Sequence, residues 1–438
     1  MRQYFIIFLL LYSIIEVATA TPTIEQWNTE NGVRVYFVPA MELPMVDIRV
    51  VFDAGSARDA QDKYGVATMT NGLLNEGAGG LSADNIAEQF DATGAQFSNG
   101  VDKDMASVGL RSLTDTHLLE PALALFTTVL TQPEFQPIAF ERIRQQILMS
   151  LKYQEQSPES VAETTFYQTL YQAHPYATDV HGTTAAVTAL TVDDVKAFYH
   201  RYYVAKNAIV AIVGAIDKAQ AHILAERITK SLPSGEAAPA LPQPAALTEA
   251  KTLHLSHPAT QTTIYLGQLG VARKDPDYFS LYVGNHILGG GGLVSRLSEQ
   301  IREQRGLVYG TSSYFYPNRV PGAFILQLQT RNDQADTALQ VALETLKQFI
   351  ATGPTEAELR AAKQNIIGGF PLRIDSNKEQ LGYVATIGFY NLPLDYLEKF
   401  PAQVEAVTVE SIKAAFIHKI HLDKLLTVLV GGDKQPEK

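Results

Sequence analysis

The chain has 438 residues, of which 46% are hydrophobic and 18% charged, with a formal net charge of −11, ten histidines and no cysteine. That length and composition suit a well-packed protein of two or three domains. The acidic balance argues against nucleic acid as the main partner, because phosphate binding needs a basic face, and the missing thiols exclude disulfide scaffolds and thiolate metal sites.

In chain order, a short basic start at Met1-Arg2-Gln3 precedes an apolar run from Tyr4 to Ile15 and an A-x-A signature at Ala18-Thr19-Ala20. The pattern is that of a secretory signal peptide over residues 1–20, too short an apolar run to span a bilayer. The mature chain is expected from Thr21, secreted and, for a Gram-negative source, periplasmic, with no stable membrane span after cleavage. An N-terminal domain is expected over 21–232. It holds a strand at Val46 to Phe52, helical periods at Pro121 to Leu130 and Ile138 to Lys152, and a Thr191-capped helix leading to a strand at Ala208 to Gly214. Residues 233–246, rich in Pro and Ala, read as an extended semi-stiff linker. A C-terminal domain over 247–438 follows, with strands at Thr262 to Leu266 and Phe324 to Leu328 and a helix at Thr337 to Ile350. Its end repeats the first half: a Thr408-capped helix precedes a strand from Leu425, and the interval from Thr408 to Gly431 equals that from Thr191 to Gly214.

Two early segments carry a resemblance. Asp53-Ala54-Gly55-Ser56 ends a strand and is followed by Gly65-Val66-Ala67-Thr68-Met69-Thr70-Asn71-Gly72-Leu73-Leu74-Asn75-Glu76-Gly77. Together they resemble the start of the pitrilysin-type zinc peptidases, the inverzincins. In that family the helix carries H-x-x-E-H, two zinc-binding His and a water-activating Glu. Here the motif falls on Thr68, Asn71 and Gly72. The family's third ligand, a Glu roughly 75 residues further on, falls at or beside Met149 in Arg142 to Lys152. Thr and Asn are poor zinc donors, Gly has no side chain, and Asn cannot take a proton from water. The resemblance therefore implies a frame with no catalytic residue and no metal ligand in this chain.

No H-x-x-E-H or H-x-x-x-H occurs elsewhere. His117-Leu118-Leu119-Glu120 starts like the motif, but Pro121 takes the second His position and would disturb a helix there. His254 with His257, and His418 with His421, read as ordinary polar residues of a strand-like run and a helix end.

The second half resembles the family more closely. Leu288-Gly289-Gly290-Gly291-Gly292-Leu293-Val294-Ser295-Arg296-Leu297 and Ile301-Arg302-Glu303-Gln304-Arg305-Gly306-Leu307-Val308-Tyr309 follow its L-G-G-G-x-x-S-R-L…I-R-E-x-R-G-L-x-Y pattern. No G-K-[ST] follows Gly289, Gly290, Gly291 and Gly292, so a phosphate cradle is not indicated. By themselves they read as a flexible turn admitting close backbone approach. The resemblance implies a substrate-handling Gly-rich loop, and an Arg302/Tyr309 pair that holds substrate and assists the tetrahedral intermediate, a task suited to guanidinium and phenol donors.

The implied fold is α+β: two similar duplicated domains, each an antiparallel-rich sheet with helices packed on one face. The implied function is the non-catalytic subunit of a heterodimeric zinc peptidase, inactive alone. Zinc is expected in a homologous partner subunit and no cofactor in this chain; peptides or unfolded segments are the expected substrates. A structural or binding protein of the same fold, or an active zinc peptidase with unrecognised ligands, are the alternatives.

Overall fold

The computed structural model describes residues 22–432; the expected signal peptide lies outside them. The first half supplies β1 (Glu25–Asn28), β2 (Arg34–Pro39), β3 (Met45–Phe52), a small hairpin of β4 (Gly77–Ala78) and β5 (Leu81–Ser82), β6 (Gln96–Val101), β7 (Ala106–Leu113) and β8 (Ala208–Gly214). The large sheet runs β1-β2-β8-β3-β7-β6, antiparallel except between β2 and β8. The second half supplies β9 (Lys251–Leu255), β10 (Gln261–Leu269), β11 (Val308–Phe315), β12 (Ala323–Arg331) and β13 (Leu426–Val430), in the order β11-β12-β10-β13-β9. Only β13 and β9 are parallel. Read outward from the parallel pair, β2-β8-β3-β7-β6 and β9-β13-β10-β12-β11 share order, direction and chain sequence. The fold is α+β and duplicated, with β1 as the addition.

Helices α1 (Val66–Gly72), α2 (Ala83–Thr93), α3 (Thr116–Thr131), α4 (Pro137–Gln154), α5 (Pro158–Tyr171), α6 (Thr184–Ala189), α7 (Val192–Tyr202) and α8 (Lys218–Thr229) belong to the first half. Helices α9 (Tyr278–Asn285), α10 (Ala335–Thr352), α11 (Glu356–Gly369), α12 (Asn377–Tyr390), α13 (Tyr396–Glu405) and α14 (Val409–Lys419) belong to the second. Strand alternation decides which helices each face meets. Val46, Ile48, Val50 and Phe52 of β3 face a core shared with α1, α3 and α8, while Val51 faces the other way.

That other face is covered by a helix from the opposite half. Leu381, Val384 and Ala385 of α12 pack with Tyr36, Val38, Ile209, Ala211 and Val213 of the first sheet. Reciprocally, Ala162, Phe166 and Leu170 of α5 pack with Tyr265, Ile325, Leu426 and Val428 of the second. Each fully buried large apolar side chain contributes about 1.5–3 kcal/mol, so this exchange of helices binds the halves into one unit.

The expected caps are present: Thr191 and Asp194 close a capping box on α7, as Thr408 and Ser411 do on α14. Pro121 does not end its helix. Helix α3 runs through it, because Leu119, Ala122, Leu123, Leu125, Phe126, Val129 and Leu130 form a buried stripe whose gain exceeds the lost bond to the preceding turn. The segment 233–246 forms neither helix nor strand and is held down. Its backbone accepts from Arg58 at Pro239 (2.7 Å) and from Arg201 at Glu236 (2.9 Å), and Leu241 is buried. Among the described residues no helix is long and apolar enough to cross a membrane.

Candidate functional site

Helix α1 begins at Gly65, whose φ of +95° is open to glycine. Asp59 accepts the backbone N–H groups of Gly65 (2.7 Å) and Ala67 (3.0 Å), satisfying the first turn. Burial pushes its carboxyl up to about 8, against the opposing pull of those two bonds. The helix is thus seated firmly, yet its ligand positions serve the fold. Thr68 donates to the carbonyl of Val180. Asn71 is 2% exposed; its amide nitrogen donates to the Tyr203 hydroxyl (3.1 Å) and the Ser107 carbonyl (3.2 Å), and its backbone oxygen accepts from Asn99 on β6 (2.8 Å). Burial raises the Tyr203 hydroxyl, which stays protonated.

Helix α4 approaches Gly72 through Ile143, whose Cγ2 would lie 3.7 Å from an added Cβ. Met149 is 52% exposed, in a shallow groove with Gln145, Gln146, Ser150 and Tyr153. An Arg142–Glu76 ion pair joins α4 to the turn after α1. Among the described residues, no group of three or more His, Cys, Asp or Glu side chains is placed to hold a metal. His254 bonds the Gly431 carbonyl (3.1 Å) and His418 meets Asp277 (3.1 Å).

In the second half, α9 continues into a π-helical turn over His286–Gly290 rather than a simple flexible turn. Gly289, Gly290 and Gly291 pack closely against neighbouring atoms, whereas Gly292, at φ +65°, faces open space. Leu293 and Val294 beside it are exposed. Arg302 lies in a second π-helical turn, Ser298–Glu303, paired with its neighbour Glu303 at 3.0 Å. Tyr309 is 88% exposed and sits where the register of β11 on β12 shifts between Val308 and Thr311. Such bulges re-aim side chains and collect near active sites, as π-turns do. Arg302 and Tyr309 make no hydrogen bond to each other; the Tyr309 side chain stands in solvent, while Arg302 is engaged by Glu303 and about one third exposed.

Sequence reasoning missed a cavity beside Tyr309. About 320 Å³ in volume, it is lined by Glu159 of α5, Thr263 and Tyr265 of β10, Gly310, Thr311 and Ser312 of β11, and Gln327 and Gln329 of β12. The Thr263 hydroxyl is buried with no hydrogen-bond partner among the described residues. The signal was present in β12, where the face bearing Ala323 and Ile325 switches to Gln327 and Gln329. A strand face that turns polar midway has left the core for an open space.

Residues 39–184 match the family described as Insulinase (Peptidase family M16), and residues 189–366 match the Peptidase M16 inactive domain. The crystal structure of a peptidase M16 inactive domain from Pseudomonas fluorescens superposes with a TM-score of 0.91 at 39% identity, covering 94% of this chain and 99% of that one. The chain belongs to the M16 (pitrilysin/insulinase) peptidase family. Among M16 relatives, a protein of Helicobacter pylori named a non-peptidase homolog is 24% identical over 398 residues, 90% of each chain. A Bacillus subtilis protein named an uncharacterized zinc protease is 24% identical over 361 residues, covering 82% of this chain and 86% of its own.

The M16 glycine run makes one expectation concrete. A Cβ on Gly289 would lie 2.4 Å from Ser313 Oγ and 2.6 Å from the Ser313 backbone nitrogen. Gly289→Ala should therefore cost about 1–3 kcal/mol by overpacking. Gly292→Ala, with open space but positive φ, should cost about 1 kcal/mol from the left-handed backbone alone. Urea denaturation of both variants checks the order.

Proposed function

We propose that this chain is the non-catalytic subunit of a secreted, periplasmic M16 peptidase, supplying chamber wall and substrate contacts to a homologous zinc-bearing subunit. The observation that carries this reading is the asymmetry between the halves. In the first, Thr68 and Asn71 are tied into the fold, Gly72 has no side chain and Met149 lies in a surface groove. In the second, the exposed Tyr309 projects from a bulge beside a polar cavity whose walls come from both halves. A half that can hold a peptide but cannot activate water is useful when another chain brings the metal. The edge strand β6 also offers backbone groups to an extended peptide, whereas β11 is covered at Ser313 by Asn285 and Gly289. The name of the Helicobacter pylori relative supports the loss of peptidase activity.

The isolated chain is expected to hold no stoichiometric zinc and to cleave no peptide, and to co-purify from its native source with an H-x-x-E-H-bearing relative. Elemental analysis after chelator-free purification and mass spectrometry of the complex check both points. About one zinc per chain with chelator-sensitive hydrolysis would overturn the reading. Recovery as a monomer with no such relative would instead favour a peptide-binding protein of the same fold.

A further inference from the structure

A cleft of about 720 Å³ lies on the seam between the halves, away from the Tyr309 cavity. Gln26 and Tyr36 of β1 and β2 form one side; the segment after β10, the start of α9 and the α12–α13 connection form the rest. Its size and position at a junction of structural units are those of small-molecule sites. Most of its charges are already matched: Asp275 pairs with Lys419 at 2.7 Å, and Asp395 with Lys399 at 2.5 Å.

Two cations remain. Lys274 is exposed and has no ion pair among the described residues. Arg273 lies over the Tyr390 ring at 5.2 Å, and its Nε is buried with no hydrogen-bond partner among the described residues. The acid facing it, Asp102, has Oδ1 occupied by the backbone N–H groups of Asp104 (2.8 Å) and Met105 (2.6 Å), and no ion pair with Arg273 forms. The Nε itself is closed off, but the terminal guanidinium nitrogens line the cleft and make no hydrogen bond or ion pair among the described residues, so they can take an acceptor from it. Around it the lining turns apolar through Phe279, Leu392, Pro393 and Tyr396.

We propose that this cleft binds a monocarboxylate carrying an apolar or aromatic group, with the carboxylate at Arg273 and Lys274 and the apolar part against Phe279, Leu392 and Tyr396. The acids nearby, Asp102, Asp275 and Asp395, favour a single negative charge over a dianionic phosphate. Two sources share this chemistry: the C-terminal residue of a peptide and a free aliphatic acid. Because the cleft has walls from both halves, its occupant fastens β1 and β2 to the α12–α13 connection.

Calorimetric titration of the purified chain with N-acetyl-phenylalanine, its amide and decanoate tests this. One of the acids is expected to bind at least about ten-fold more tightly than the amide, the scale of one charge-assisted contact. Binding of N-acetyl-phenylalanine alone assigns a peptide C-terminus; binding of decanoate alone assigns an aliphatic acid. Arg273→Met should reduce acid binding to the level of the amide. Lys274→Ala, at an exposed position, should weaken it about two- to three-fold with unchanged melting temperature. The proposal is overturned if the amide binds as well as the acids, if neither acid binds, or if a folded Arg273→Met chain binds unchanged. Should Arg273→Met fail to fold, the acid–amide contrast and Lys274→Ala decide.

Discussion

Replacement of Asp104 by alanine is expected to destabilise the chain by about 3–5 kcal/mol, the range for removing one partner from a buried charged network. Asp104 lies in the β6–β7 turn and is 2% exposed. It accepts from the Tyr176 hydroxyl, from the Tyr390 hydroxyl at the end of α12 (2.8 Å), and from the Arg319 backbone N–H in the β11–β12 turn (2.8 Å). Burial raises both tyrosine hydroxyls, so they remain protonated donors. Two of the three donors come from the second half, which makes this carboxylate a polar fastening within the apolar seam. Alanine leaves the two buried tyrosine hydroxyls without their acceptor, each costing about 1–3 kcal/mol, while the Arg319 N–H lies nearer solvent. Asparagine keeps one acceptor oxygen and should lose less. Urea unfolding of Asp104→Ala, Asp104→Asn and the exposed control Asp62→Ala measures this. An Asp104→Ala midpoint equal to the control's would show that the network does not hold the halves.

The turn beside it adds a second tie. Arg58 makes a two-pronged contact with Asp53 at 2.7 and 2.9 Å, Arg319 reaches the same carboxylate at 3.2 Å, and the Arg319 guanidinium lies over Phe389 at 4.4 Å. None of this was legible in the sequence, where Asp53 figured only as part of a D-x-G-S frame. Contacts between residues hundreds of positions apart leave no local pattern. What was legible is what periodicity and capping encode. The alternation in β3 named its core side, Thr191 and Thr408 named the starts of α7 and α14, and the repeat of that cap-to-strand interval named the duplication. Helices α5 and α12 show the limit. Helix α12 buries Leu381, Val384, Ala385, Ile387, Gly388 and Phe389 nearly all round, so no single apolar stripe marks the sheet it crosses to.

The sequence of α1 named Thr68, Asn71 and Gly72 where H-x-x-E-H would fall, but not what holds them. Tyr203, which receives the Asn71 amide, lies 132 residues away. The bulge that turns Tyr309 outward had only Gly310 as a local hint, since glycine inside a strand marks such irregularities. The π-helical turn at Gly289 was marked only as a glycine-rich irregularity, and the one carrying Arg302 had no local hint, because Ser298–Glu303 is helical in composition in the ordinary way.

Within a complex whose partner carries zinc, Arg302→Ala and Tyr309→Phe are each expected to lower turnover by about 10²–10³, the scale of losing one oxyanion donor. The structure separates this from a folding effect. The Tyr309 hydroxyl makes no hydrogen bond among the described residues and its side chain is exposed, so its removal leaves the core untouched. Arg302 pairs only with its neighbour Glu303, a partly exposed contact worth at most about 1 kcal/mol. Assembly and zinc content should therefore be unchanged in both variants, the metal belonging to the other subunit. Arg305 is the internal control. It lies in the same segment, but its guanidinium is used locally, donating to the Gln300 carbonyl at 2.7 Å. Arg305→Ala should soften that turn and leave turnover within a few-fold of the parent, about 1 kcal/mol or less. Steady-state kinetics of the three variant complexes, with zinc measured on each, gives the comparison. Equal losses at Arg302 and Arg305 would mark the segment as structural. No loss at Arg302 or Tyr309 would mean that substrate is held elsewhere on this wall, with the Thr263 and Glu159 cavity the next place to probe.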